Sequence, residues 1–167
     1  HTNVNWACGR CHAGSRSEFA AGMGTWNSIE YTDATRGACY SKLKCIDCHD
    51  PHQGIGRRWT RTRAQDEAVC LGCHQRFGAE AARARHTRHA AGSAGSHCMN
   101  CHMPHTSYGL LKAIRGHTIE TPDVATTLAT GRPNACNLCH LDKTLDWTAE
   151  LLANRTGQAK STVPGEH

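Results

Sequence analysis

Five copies of C-x-x-C-H punctuate this chain, at Cys8–His12, Cys45–His49, Cys70–His74, Cys98–His102 and Cys136–His140. Ten of the eleven cysteines lie in them, and every copy puts a histidine directly after its second cysteine. Two thiols two residues apart can each form a thioether to a porphyrin edge, and the adjacent imidazole then falls over the ring as an iron ligand. A Cys₄ zinc site also uses paired C-x-x-C but has no need of a histidine after every second cysteine. A disulfide framework fares no better, since two-residue spacing repeated five times is poor framework geometry. The sequence therefore predicts five haem c groups, each bringing one iron. Their attachment residues are Cys8, Cys11, Cys45, Cys48, Cys70, Cys73, Cys98, Cys101, Cys136 and Cys139, and their proximal ligands are His12, His49, His74, His102 and His140.

Such cofactors resolve a conflict in the composition. Leu, Ile, Val and Phe number 21 of 167 residues, about 13%, a level that ordinarily signals disorder. Five large apolar rings can stand in for the missing core, so the apoprotein is expected to be largely unfolded. The formal charge of +5 is offset by two propionates per ring, leaving a holoprotein of roughly 0 to −5. Basic residues are scattered without aromatic interleaving, which argues against a nucleic-acid partner. With no apolar run near 18 residues, no membrane span is expected. The absence of a signal peptide reads as a mature chain, and because haem c is attached outside the cytoplasm, an exported protein, extracellular or periplasmic, is expected.

The predicted fold is mainly irregular with short α-helices, a single domain over 1–167 with a haem-built core and little or no β-sheet. Residues 1–12 read as short and polar, and 13–44 as irregular around Gly14, Gly22, Gly24 and Gly37, with Trp26 and Tyr31 against a ring. Helical composition appears at 60–76, at 78–91, in a short segment with Thr121 as N-cap, Pro122 at N1 and an end near Gly131, and over 144–154. The polar tail, 155–167, is expected to dock on a neighbour. Spacings of 37, 25, 28 and 38 between first cysteines are too uneven for a solenoid. The odd cysteine, Cys39, reads as a small buried thiol, with an intermolecular disulfide or an unusual iron ligand as alternatives.

Eight histidines remain beyond the proximal five: His1, His52, His86, His89, His97, His105, His117 and His167. Two motifs extend to C-x-x-C-H-x-P-H, ending in His52 and His105; the proline disfavours helix before it and turns the second histidine from its own ring toward another. His86 and His89, at i and i+3, are expected on one helix face. The distal candidates are His52, His89, His105 and His117, with His86 or His1 as the fifth, and His97 as a spectator. Met23, Met99 and Met103 are expected to pack rather than ligate. Bis-histidine iron is coordinatively saturated, and in a chain with a radius of gyration near 15 Å five such centres must be close neighbours.

The two C-x-x-C-H-x-P-H runs, the approach His86-x-x-His89 to Cys98–His105, and Arg115-Gly116-His117 resemble multihaem c-type cytochromes with doubled haem motifs. The resemblance covers about residues 8–140. It implies electron transfer, as a periplasmic shuttle, a donor to a reductase, or a repeating subunit of an extracellular cytochrome filament. It also implies distal ligation by His52, His89, His105 and His117, with redox partner proteins or extracellular acceptors and a homo-oligomer or filament as partners. Multihaem enzymes acting on nitrite, hydroxylamine or tetrathionate are the competing class. They keep one haem with an open or unusual axial site, so no enzyme is expected here.

Overall fold

The computed structural model describes residues 2–14, 29–52, 61–108, 112–157 and 159–165. His1, Met23, Trp26 and His167 lie outside the described residues. The chain is mostly short helices and irregular connections, with a single two-stranded hairpin as its β-structure among the described residues.

Four of the five motifs sit on or at the end of a helical turn. Helix α1 (Thr2–His12) carries the first and α3 (Cys45–Cys48) the second; α4 (Arg63–Leu71) runs into the third. Helix α6 (Cys98–His102) is the fourth motif itself, and the fifth lies in turns ahead of α8 (Leu145–Thr156). Between them run α2 (Glu30–Arg36), α5 (Glu80–Thr87), the hairpin β1 (His105–Tyr108) and β2 (Lys112–Arg115), and α7 (Val124–Thr130). The strands pair antiparallel with His105 opposite Arg115, and Gly116 N donates to Pro104 O at 2.9 Å, which closes the hairpin's base.

Local chemistry explains several helix ends. Thr62 accepts from Gln65 N, and the Gln65 side chain accepts from Thr62 N at 2.7 Å, a reciprocal cap on α4. Thr144 caps α8, which ends at Gly157 with φ 70°. Three expectations need correction. Residues 30–36 form a helix within the stretch read as irregular. The cap of α7 is Asp123, not Thr121: its carboxylate accepts from Ala125 N and Thr126 N, so Pro122 lies before the helix. Helix α5 stops at Thr87 because Arg88 adopts φ 60°, so His86 and His89 do not share a helix face.

The side-chain core is small. Among the described residues the buried aliphatic side chains are Ile29, Met99, Val124, Ala135 and Ala149. Buried Met99 packs as expected, whereas Cys39 is half-buried rather than fully buried. Val4, Trp6, Ile46, Leu138 and Leu141 are exposed, and all lie within four residues of a motif cysteine or inside a motif. Along the tail, Lys160 Nζ lies 2.9 Å from Asp146, tying it to α8 of the same chain.

Candidate haem-binding site

Three of the proximal histidines face a second histidine across a gap of constant width. His49 and His117 have ring centroids 6.2 Å apart and planes within 15°. His86 and His102 are 6.1 Å apart and parallel to 2°. His89 and His140 are 5.9 Å apart with a 38° tilt. Rings at this separation are not in face contact. Two imidazoles bound on opposite sides of one metal, each with a nitrogen–metal bond of about 2.0 Å, place their centroids about 6 Å apart. The donor set and its spacing therefore fit iron held between two histidines, and the exposed apolar side chains around the motifs fit a large apolar ring.

The ring orientations are built by backbone contacts. His102 Nδ1 donates to Glu120 O at 2.9 Å, His117 Nδ1 to Arg115 O at 2.9 Å and His89 Nδ1 to Thr87 O at 2.7 Å. A carbonyl can only accept, so each ring keeps its proton on Nδ1 and leaves the Nε2 lone pair for a metal. His12 Nδ1 lies 3.2 Å from the Glu30 carboxylate. Two glycines make the approaches possible. A Cβ on Gly95 would sit 2.7 Å from His89 Nε2 and closer still to other atoms of that ring, and one on Gly37 would lie 2.8 Å from the Thr118 carbonyl carbon, next to His117.

Arg115 closes the fourth motif. Its guanidinium donates to Met99 O at 3.0 Å, Met103 O at 3.2 Å and Asn100 Oδ1 at 2.8 Å, neutralising the carbonyl end of α6. Burial, and then the neighbouring His117 and His12, hold His49 below the usual histidine range. Burial and the facing His102 do the same to His86. Both shifts favour the neutral imidazole that a metal needs. Among the thiols, burial and the Cys8 thiol push Cys45 up to about 11, while a hydrogen bond from Cys70 draws Cys98 down to about 7.

The remaining candidates are not brought against a proximal ring. His52 stands 93% exposed with Nδ1 3.4 Å from Asp50 Oδ1, His105 is exposed at the start of β1, and His74 is exposed. His97, read as a spectator, has a buried Nε2 with no hydrogen-bond partner. Sequence reasoning missed Asn5, Gly95 and Glu120, and met Gly37 and Arg115 only as a loop glycine and as part of Arg115-Gly116-His117, without their positioning roles. Only the glycines carried a signal, since glycine marks close backbone approach.

Comparison with known families agrees with this chemistry. Residues 33–79 match the family described as doubled CXXCH motif, which spans the second and third motifs and 47 of the 167 residues. The match and the motifs support covalent haem c binding in a multihaem c-type cytochrome that transfers electrons. No curated protein and no solved structure matched the chain. No helix among the described residues is long and apolar enough to cross a membrane.

Proposed function

We propose that the chain is an electron-transfer protein holding five haem c groups, each between two histidines. The observation that carries this is the set of three histidine pairs facing one another at 5.9–6.2 Å. When bound, haem c supplies a one-electron ferric/ferrous couple, at low potential with two histidine ligands. The chain's own residues hold and orient it. Cysteine pairs anchor the ring edge, Nδ1 hydrogen bonds fix each imidazole, and the second histidine blocks the position a substrate would need. His117 serves the second motif, His86 the fourth and His89 the fifth. His52 and His105, which the fold leaves exposed and away from every proximal ring, are the remaining candidates for the irons of His12 and His74. This set uses His86 as the fifth distal ligand and leaves His1 unused. Saturation at all five centres argues against catalysis on nitrite, hydroxylamine or tetrathionate.

His86→Ala and His117→Ala test the assignment. Each variant should convert one low-spin iron to high-spin in low-temperature EPR, while His97→Ala should convert none. Unchanged low-spin spectra in the first two would remove both residues from the ligand set. We propose further that the protein is exported and that it assembles as the repeating subunit of a cytochrome filament, a reading supported by the family resemblance. Filaments in negative-stain images of native material would sustain it. Discrete particles would replace it with a soluble shuttle.

A further inference from the structure

We propose that electrons cross the molecule in motif order, entering and leaving at the first and fifth motifs, along a single unbranched line. This rests on the haem reading above but goes beyond it, because five close centres can equally form a branch or a ring. The line is built by four successive clasps. At the first, α1 packs on α3, and buried Asn5 donates to Leu43 O at 2.8 Å and accepts from Cys45 N at 2.9 Å. Those bonds seat the first cysteine of one motif beside the first of the next.

At the second clasp α3 packs on α4, with Arg61 donating to Asp47 O at 3.4 Å and to Asp66 at 3.1 Å. Arg63 makes the third. From α4, which packs on α6, it donates to Ser93 O and Ser96 Oγ, both at 2.8 Å, on the turn that leads into α6. The fourth joins His102 to Glu120 by two backbone-directed bonds, at 2.9 and 3.1 Å, and Glu120 to Arg132 at 3.1 Å, four residues before Cys136. One cleft is lined by Cys101, Glu120, Arg132 and Asn134 together.

The thiols repeat this order. Cys8 hydrogen-bonds Cys45, and Cys70 hydrogen-bonds Cys98, so the first cysteines meet within motifs one and two and within motifs three and four. Across the other two junctions Cys48 lies near enough to raise the Cys70 thiol, and Cys101 the Cys136 thiol. Each thiol fixes the edge of the ring it would carry. In every step one iron is oxidised as its neighbour is reduced, with a one-electron donor at one end and a one-electron acceptor at the other.

The test is a map of pairwise redox interaction in the holoprotein. His117→Met, His86→Met and His89→Met mark the second, fourth and fifth centres, since a thioether ligand raises the potential of the iron it binds. Charges on adjacent centres repel more than charges on distant ones, because the interaction falls with separation. Titration of the three double variants should give its largest mutual shift for the fourth and fifth centres and its smallest for the second and fifth. A second–fifth shift equal to or above the fourth–fifth one would overturn the order. Single variants whose spectra and potentials do not change would instead overturn the ligand assignment. Where a Met variant fails to mature with five haems, His→Lys at the same position keeps a low-spin iron with an altered potential and gives the same ranking.

Discussion

Gly95→Ala offers a test of the site through a residue that touches no iron. The added methyl would overlap His89 Cδ2 and Cγ and lie 2.7 Å from Nε2, whereas carbon contact begins near 3.5 Å, so ring and methyl must separate by more than about 1 Å. Metal–ligand distances tolerate only about 0.2 Å. Which side yields is settled by the anchors. The turn bearing Gly95 is pinned by Arg63 to Ser93 and Ser96 and by Asn100 to Ala94 O at 2.8 Å, and Ser96 is 1% exposed. The His89 ring is held by one bond, to Thr87 O. The ring gives way, and the fifth motif loses its second ligand. Overpacking of this kind costs about 1–3 kcal/mol, small enough for the holoprotein to survive.

Low-temperature EPR should then show one high-spin iron per chain, and carbon monoxide, which does not bind six-coordinate iron, should bind at one site. Gly92→Ala is the control. Its φ is 79° with nothing within 4 Å, so it adds backbone strain of about 1–2 kcal/mol without touching a histidine. It should destabilise the protein and leave every iron low-spin. A Gly95→Ala protein that stays wholly low-spin and binds no carbon monoxide would refute the placement of His89 over the fifth motif.

Asn5→Ala strips the partners from Leu43 O and Cys45 N, leaving a buried donor and acceptor at a cost of about 1–3 kcal/mol. The urea midpoint of the holoprotein should fall accordingly, and Asn5→Asp, which can still accept from Cys45 N, should fall less; an unchanged midpoint would show that the clasp contributes nothing. His97 predicts acid sensitivity. Burial, then Arg115, hold its folded pKa below the usual value, while the unfolded residue titrates near 6.5. Between the two values the unfolded chain binds more protons, so stability is complete above about pH 6.5 and declines as pH falls through the folded pKa. His97→Asn should flatten that decline in denaturation series run from neutral to mildly acidic pH, and an identical slope in both proteins would exclude His97 as its source.

What the sequence made legible was everything decided within a few residues. A C-x-x-C-H run states its own chemistry, and Thr144 and Gly157 bracket α8 by ordinary capping. Asp123 displaced Thr121 because a carboxylate accepts from two backbone amides where a hydroxyl serves one. His86 and His89 looked like one face because spacing was the only local information. The left-handed Arg88 between them sends one ring to His102 and the other to His140, so a pair that read as one face points to two motifs.

The long-range pairings lacked any such trace. His117 meets His49 from 68 positions away, across Gly37 and Thr118, which no periodicity could link. Helix α1, without an apolar stripe, is held by Asn5 reaching 40 residues along the chain. This division follows from how the fold is made. A chain with few apolar side chains cannot announce its packing through hydrophobic pattern, because the surfaces that would pack belong to rings rather than residues. Its tertiary contacts are carried instead by single polar side chains and by glycines that let a backbone pass, and those residue types look alike in a loop and in a clasp. The motifs state where each ring would be attached; Asn5, Arg61, Arg63 and Glu120 hold one motif against the next, and under the path proposed above that second choice sets the order in which electrons pass.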